Sequence, residues 1–255
     1  TYLDFGKCFD QEINVPFKCL SHVAHMDSER AEMLYEAGCD WVQIGVQSVN
    51  DQYKREIKRY ESNDQLERAL DSMLEAGLKL QVDHMFGLPG EPLEAQNQAF
   101  EMYSKYTPHR VSTYWTQFMP GTALLKQGLE SGILDQKTVD KINEGDNVSS
   151  FNVHYLENGD PEKFALYKGL RTYFLLLPLL PKLFHRRLFV SVFAWLPKWL
   201  NGILSILFDG ITGLVLKNPD HHTFLKRYVF EMKTYFVKFF GGNRKVFQKE
   251  EKDIY

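Results

Sequence analysis

Two stretches of the chain share one pattern of hydrophobic and polar positions. In each, an amphipathic segment ends in Glu-Ala-Gly, at Gly38 and at Gly77, and a short apolar run follows over residues 41–48 and 80–86. The two glycines are 39 residues apart. A helix-then-strand unit that repeats in this way predicts neighbouring parallel strands joined by right-handed crossovers.

Local boundary signals predict several more elements around this repeat. Asp27 suits an N-cap, Ser62 and Gln65 have the spacing of a capping box, and Pro92 suits the first turn of a helix. With the apolar periodicity, these signals predict helices over residues 28–37, 62–76, 92–106, 122–132 and 224–240. Runs of strand length predict further strands over residues 1–9, 15–22 and 111–118.

Polar residues occur in both repeated strands where their carboxyl ends are expected. Gln47 ends the first apolar run, and Asp83 lies within the second. In parallel sheets and barrels, chemistry collects at the carboxyl ends of the strands. We therefore expect Gln47 and Asp83 to contribute to a functional site.

Charge divides the chain into two unlike parts. Residues 1–160 hold 14 Lys and Arg against 26 Asp and Glu, a net charge of −12, whereas residues 161–255 hold 16 against 7, a net charge of +9. At 255 residues, with 44% hydrophobic residues, the chain can form one large or two smaller cores. We predict an acidic α/β domain over residues 1–145 and a basic, aromatic and leucine-rich α-helical domain over residues 146–255.

Three motifs in the acidic part resemble those of the radical S-adenosylmethionine (SAM) enzymes. They are Gly-Val-Gln-Ser at residues 45–48, the segment 83–91 that ends in Gly-Leu-Pro-Gly-Glu, and Pro-Gly-Thr at residues 120–122. The group with such motifs includes coproporphyrinogen dehydrogenases and many cobalamin-dependent members. The resemblance covers residues 27–132 and implies the later strands of a partial (β/α) TIM-like barrel, followed here by the helical domain.

The resemblance also implies which residues bind SAM. In these enzymes a Gln and an Asp at the matching strand ends approach the ribose, a later Arg meets the carboxylate, and the second residue after the Asp packs near adenine. The matching positions are Gln47, Asp83, Arg59 and Met85. Each has a structural alternative, namely a turn for Gln47, a turn or an ion pair for Asp83, a solvated helix face for Arg59 and core packing for Met85.

The cysteines do not form the family's CxxxCxxC motif, which binds a four-iron four-sulfur (4Fe-4S) cluster. Cys8, Cys19 and Cys39 are separated by 11 and 20 positions. We expect structural roles for all three and no metal ligands in this sequence. We therefore expect the cluster ligands, and any cobalamin-binding domain, on sequence upstream of Thr1.

The basic part admits three interpretations over residues 171–217. Short apolar helices separated by Pro178, Pro181 and Pro197 could attach to a membrane surface through aromatic and leucine faces, or form a buried helical subdomain. A membrane-spanning helix over residues 199–216 ranks below both, because the segment contains Asn201, Asp209 and three glycines. Membrane contact would suit an apolar substrate such as a lipid or a tetrapyrrole. Nucleic acid ranks lower as a partner, because the basic residues alternate with long leucine runs. Cysteine usage and the lack of a signal peptide favour a cytoplasmic protein.

These observations lead to one main functional hypothesis. The chain is the SAM-binding portion of a radical SAM enzyme, which cleaves SAM reductively for hydrogen abstraction or cobalamin-assisted methyl transfer, and it is inactive without the cluster segment. One alternative is a non-catalytic, membrane-associated binding module on a degenerate barrel. Another is an unrelated barrel enzyme that uses Asp83 and His84 as acid and base.

Overall fold

The structure is a computed structural model that describes residues 15–145, 160–221 and 226. The described strands form one parallel sheet in the order β1 (Phe17–Ser21), β2 (Cys39–Gln47), β3 (Lys79–Phe86) and β4 (Arg110–Trp115). Strands that are consecutive in the chain are neighbours in the sheet, and a helix lies in every connection between them. This is the order of a (β/α) barrel. The predicted fold class, a partial barrel with a parallel sheet, is confirmed.

Nine α-helices accompany the sheet within the described residues. They are α1 (Ser28–Glu36), α2 (Asp51–Glu56), α3 (Asn63–Glu75), α4 (Leu93–Tyr106), α5 (Ala123–Glu130), α6 (Gln136–Asn143), α7 (Pro161–Leu176), α8 (Arg187–Trp195) and α9 (Lys198–Val215).

The predicted helix boundaries are present as hydrogen-bonded caps. Asp27 accepts a backbone N–H of α1 at 2.9 Å. Ser62 Oγ accepts the Gln65 N–H at 3.2 Å, and Gln65 Oε1 accepts the Ser62 N–H at 2.8 Å, which completes the capping box of α3. Gly38 and Gly77 follow α1 and α3 with φ of +85°, a conformation that glycine adopts without strain.

Some elements differ from the sequence predictions. The short helices α2 and α6 were not predicted. The helices predicted from Pro92 and Thr122 begin one residue later, because these two residues are N-caps. The predicted strand over residues 1–9 and most of the predicted helix over residues 224–240 lie outside the described residues.

The two faces of the sheet have different neighbours. On β3, Leu80, Val82, His84 and Phe86 are buried. His84 contacts Tyr103 of α4, with ring centroids 5.6 Å apart, so this face packs against the helices. The residues between them along β3 point to the opposite face, as alternation along a strand requires.

The structure divides into two compact units. One unit covers Thr1–Leu196 and the other covers Pro197–Tyr255. The predicted domain boundary between residues 145 and 146 stays a prediction.

Aromatic packing explains why α7 belongs to the first unit. Phe164 stacks on Trp115 of β4 with ring centroids 5.6 Å apart, and Tyr167 stacks on Phe86 of β3 with centroids 5.0 Å apart. Such contacts bury large apolar areas. Helix α7 therefore packs directly on the sheet.

The described part of the second unit contains α9. Its 18 residues, Lys198–Val215, begin after Pro197, which was predicted to separate two helices. Among the described residues, no helix combines the length and the apolar character needed to cross a bilayer.

Candidate functional site

One face of the sheet carries most of its polar side chains, and we call it the polar face. It is turned away from the helices, which in a (β/α) barrel is the interior side. Its members include Lys18, Gln43, Gly45, Gln81, Asp83, Met85, Arg110 and Ser112.

Side-chain hydrogen bonds connect the polar face near the amino ends of the strands. Lys18 Nζ donates to Gln81 Oε1 at 3.0 Å, and Gln81 Nε2 donates to Ser112 Oγ at 3.0 Å. Arg110 Nε donates to the same hydroxyl at 3.2 Å. These bonds link β1, β3 and β4 through one polar network.

Asp83 follows this network on the polar face, opposite Gly45 in the strand register. Gln43 Nε2 donates to Asp83 Oδ2 at 2.7 Å. Asp83 Oδ1 is buried, and no donor in the described part of the chain reaches it in hydrogen-bonding geometry. Burial raises the pKa of this carboxyl above its ordinary value, against the Gln43 and Gln81 side chains and the charges of Lys18 and Arg110. A ligand hydroxyl could supply the missing donor.

Gln47 ends β2 in a left-handed backbone conformation with φ of +62°. The register of β2 against β3 shifts between Gly45 and Gln47, as at a β-bulge. The side chain lies close to Gly45, since a Cβ atom built at that glycine would be 2.8 Å from Gln47 Nε2. The absence of a side chain at Gly45 therefore makes room for the Gln47 amide.

Arg59 reaches the same point from the loop after α2. Its Nη1 donates to the Gly45 carbonyl oxygen and to Glu61 Oε1, both at 2.9 Å. The Cβ atom built at Gly45 would be 3.4 Å from Arg59 Nη2. Three predicted site residues, Gln47, Arg59 and Asp83, thus surround Gly45.

A cavity of about 580 Å³ opens beside Arg59, with His22, Lys58 and Glu61 in its lining. Burial alone would raise the pKa of the Glu61 carboxyl, but its own backbone N–H and the Arg59 guanidinium lower it below its ordinary value. The arginine and the carboxylate thus form an ion pair in the lining of a cavity whose volume is typical of small-molecule sites.

Met85 is not brought to Gly45. It lies one pleat beyond Asp83 on the polar face, half-buried and opposite Tyr114 of β4. Gln47 and Arg59 approach from the β2 side instead. The structure therefore places Met85 at the other edge of the candidate site.

His84 cannot act together with Asp83. Its Nδ1 is 3.1 Å from the Tyr103 hydroxyl and its Nε2 is 2.9 Å from Gln96 Oε1, within the buried layer of helices. Burial lowers its pKa to about 4. The alternative in which Asp83 and His84 serve as acid and base is wrong, because consecutive strand residues point to opposite faces.

Comparison with protein families tests the resemblance drawn from the motifs. Residues 10–102 match the Radical SAM superfamily. The match includes Gln47, Arg59, Asp83 and Met85, and it ends before the Pro-Gly-Thr motif. Two of the three motifs therefore lie inside the matched region.

Two proteins illustrate the solved structures that are similar to this chain. The radical S-adenosylmethionine methyltransferase TsrM from Kitasatospora setae, solved with cobalamin and a [4Fe-4S] cluster bound, is 19% identical with a TM-score of 0.42, over 48% of this chain and 25% of that one. Coproporphyrinogen III oxidase (HemN) from Escherichia coli, a radical SAM enzyme, is 14% identical with a TM-score of 0.45, over 65% of this chain and 42% of that one. The match thus spans less than half the length of either protein. The search of curated proteins found no match.

The side chains of the candidate site offer hydrogen-bonding groups that are complementary to those of SAM, the molecule that radical SAM enzymes bind. Asp83 Oδ1 is a buried acceptor without a donor, which suits a ribose hydroxyl. Arg59 has five N–H donors, so it can bind a carboxylate in addition to its protein partners. Gly45 lets the Gln47 amide and the Arg59 guanidinium approach the same point of the strand.

The described cysteines do not fit a radical SAM cluster. Cys19 Sγ and Cys39 Sγ are 3.7 Å apart on neighbouring strands, and Cys8 lies outside the described residues. Over residues 15–145 and 160–221, no group of three or more His, Cys, Asp or Glu side chains is placed to hold a metal ion. The described residues therefore do not provide the ligands of such a cluster.

Three residues of the site, Gln43, Gly45 and Glu61, were not predicted from the sequence. Glu61 had no signal, because only the structure shows its ion pair with Arg59. Gly45 had a signal, because a glycine inside a strand often marks a close approach by another group. Gln43 had none, since its bond to Asp83 depends on the register between two strands.

Proposed function

We propose that this chain is the SAM-binding part of a radical SAM enzyme. The observation that carries the proposal is the convergence of Gln47 and Arg59 on Gly45, opposite the unsatisfied Asp83 Oδ1. The site lies at the carboxyl ends of parallel strands, where barrel enzymes bind ligands. It also lies within the region that matches the Radical SAM superfamily.

Each residue has a defined part in the proposed complex. Asp83 accepts a ribose hydroxyl and the Gln47 amide binds the same sugar. Arg59 binds the amino-acid carboxylate while Glu61 holds its guanidinium in place. Met85 offers an apolar, polarisable surface to adenine from the β4 side.

Bound SAM would supply a 5′-deoxyadenosyl radical after reductive cleavage at a 4Fe-4S cluster. The described residues bind and orient SAM in this proposal, and they do not hold the cluster. Cobalamin use, an apolar substrate such as a lipid or a tetrapyrrole, and the choice between hydrogen abstraction and methyl transfer stay predictions from the sequence.

Replacing Asp83 by alanine tests the proposal directly. We expect the Asp83→Ala variant to bind SAM about 10- to 100-fold more weakly than the natural sequence, because a hydrogen bond to a charged group contributes about 1.5–3 kcal/mol. Isothermal titration calorimetry of the 255-residue chain with SAM measures the difference.

Asp40→Ala is the matched control. Asp40 is also a strand carboxylate, but it lies near the amino end of β2 and pairs with Lys79 at 3.0 Å. Its removal should leave SAM affinity unchanged. The same affinity in the Asp83→Ala variant, or no binding of SAM by the chain, would reject the proposed site.

A further inference from the structure

Helix α9 exposes a continuous row of large apolar side chains. Trp199 is 64% exposed, Ile203 43%, Leu207 52%, Ile211 49% and Leu214 68%. Residues spaced by three or four positions lie on one side of an α-helix. These five residues, which we call the apolar face of α9, therefore form one stripe along most of the helix.

The polar side chains of α9 lie on the opposite side and are buried. Asn201 is 3% exposed, Ser205 5%, Asp209 1% and Thr212 4%, and each has an interaction within the protein. A surface helix of a globular protein normally has the reverse arrangement, with its apolar stripe inward. The polar groups of α9 are used inside the fold, and its apolar groups face outward.

We propose that the apolar face of α9 lies in the headgroup layer of an anionic lipid bilayer, with the helix parallel to the membrane. Helices of this kind combine an apolar face that contains aromatic residues with basic residues nearby. Trp199 supplies the aromatic ring, and Lys198 and Lys217 are exposed at the two ends of the helix. This inference does not depend on the proposed SAM site.

Charge favours a lipid surface over a second copy of the chain. Residues 197–255 hold 10 Lys and Arg against 6 Asp and Glu, a net charge of +4, and Asp209, the one acidic residue of α9, is buried. If two copies paired antiparallel through this face, Lys198 of one copy would lie beside Lys217 of the other. In a parallel pair, each lysine would lie beside the same lysine of the second copy. Both arrangements bring like charges together. An anionic surface complements both ends.

Vesicle co-sedimentation of the full chain tests the proposal. We expect the natural sequence to sediment with vesicles of phosphatidylcholine and phosphatidylglycerol, and Leu207→Glu to bind at least about tenfold more weakly, because it places a charge in the centre of the apolar face. Leu93→Glu is the matched control, since Leu93 is a 46% exposed leucine on α4. It should bind like the natural sequence.

Tryptophan fluorescence provides a second measurement that needs no added charge. Brominated lipids should quench part of the emission of the natural sequence, and Trp199→Phe should remove that part. Absence of sedimentation, equal binding by Leu207→Glu and the natural sequence, or equal loss in Leu93→Glu would overturn the proposal. A dimer would also overturn it, if light scattering shows that Leu207→Glu dissociates the dimer and the natural sequence does not bind vesicles.

Discussion

At the scale of single residues, Gln47 combines backbone strain with a place in the candidate site. A non-glycine residue with φ of +62° is uncommon and costs on the order of 1 kcal/mol or more. Such strain collects at functional sites, where the surrounding structure holds it. Here the bulge directs the Gln47 amide over Gly45 and towards Arg59.

Gln47→Gly should therefore stabilise the protein while it weakens SAM binding. Glycine adopts a positive φ freely, so we expect the free energy of unfolding to rise by about 0.5–1 kcal/mol. The loss of the amide should lower SAM affinity about tenfold. Urea denaturation and calorimetry measure the two effects separately.

Thr107→Gly is the control for this prediction. Thr107 also has a positive φ, of +47°, but it ends α4 on the helical side of the sheet. It should gain stability with no change in SAM affinity. Unchanged SAM affinity in Gln47→Gly would show that the Gln47 amide has no part in binding.

Glu91 is a buried carboxyl at the end of the Gly-Leu-Pro-Gly-Glu motif, only 2% exposed. Gln96 Nε2 donates to Glu91 Oε2 at 2.9 Å, and the same amide contacts His84 through its oxygen. Burial raises the pKa of Glu91 to about 7, against the hydrogen bonds from Ser48 and Gln96 and the charge of Lys163. The folded protein therefore keeps a proton there that the unfolded chain releases at lower pH.

This difference in pKa predicts a stability that falls as pH rises. Between about pH 4.5 and 7 the folded state binds more protons at Glu91 than the unfolded state, so the free energy of unfolding decreases by about 3 kcal/mol. Glu91→Gln should remove this decrease. The measurement is urea denaturation of both proteins at a series of pH values.

The comparison with Glu91→Gln separates the contribution of Glu91 to the pH dependence of stability from that of His84. His84 has a lowered pKa, of about 4, so its contribution to stability increases with pH and opposes that of Glu91. Glu94→Gln, on the exposed surface of α4, is the control and should keep the natural pH dependence. An equal pH dependence in Glu91→Gln would contradict the assignment.

The sequence could identify single site residues but not their arrangement. Asp83 and Gln47 were recognisable because they occupy motif positions in the carboxyl-terminal halves of β3 and β2. The convergence on Gly45 was not, because it requires a bulge and the register of β2 against β3. The opposite orientation of His84 followed from strand alternation alone and could have been predicted.

At the scale of elements, the sequence was sufficient to predict helix ends, because a helix end depends on a few neighbouring residues. The caps Asp27 and Ser62 and the glycines after α1 and α3 fixed the repeated helix-strand units. The position of α7 could not be read in the same way. Its aromatic residues face β3 and β4, which are distant in the sequence, so only tertiary packing shows that it covers the sheet.

The capping box of α3 has a measurable contribution to stability. Ser62→Ala should lower the free energy of unfolding by about 1 kcal/mol, because it leaves the Gln65 N–H without its acceptor. Ser62→Asn keeps an acceptor and should cost much less. Denaturant unfolding distinguishes the two, and equal losses would mean that the side-chain cap is not what stabilises this helix end.

At the scale of the whole molecule, charge separates the acidic part that contains the candidate site from the basic part that contains α9. The net charges of −12 and +9 give these parts opposite preferences for anionic surfaces. A membrane that attracts residues 161–255 will repel residues 1–160. Both electrostatic and apolar terms should therefore be visible in membrane binding.

Added salt distinguishes the electrostatic contribution to membrane binding from the apolar one. We expect binding to anionic vesicles to exceed binding to neutral phosphatidylcholine vesicles at low salt, and this difference to vanish near about 1 M salt, where the Debye length is about 3 Å. Binding through the apolar face of α9 should persist at that salt, because apolar contact is not screened. Leu207→Glu should lower binding to both kinds of vesicle. Binding that is the same for anionic and neutral vesicles at low salt would mean that the basic residues do not direct the protein to membranes.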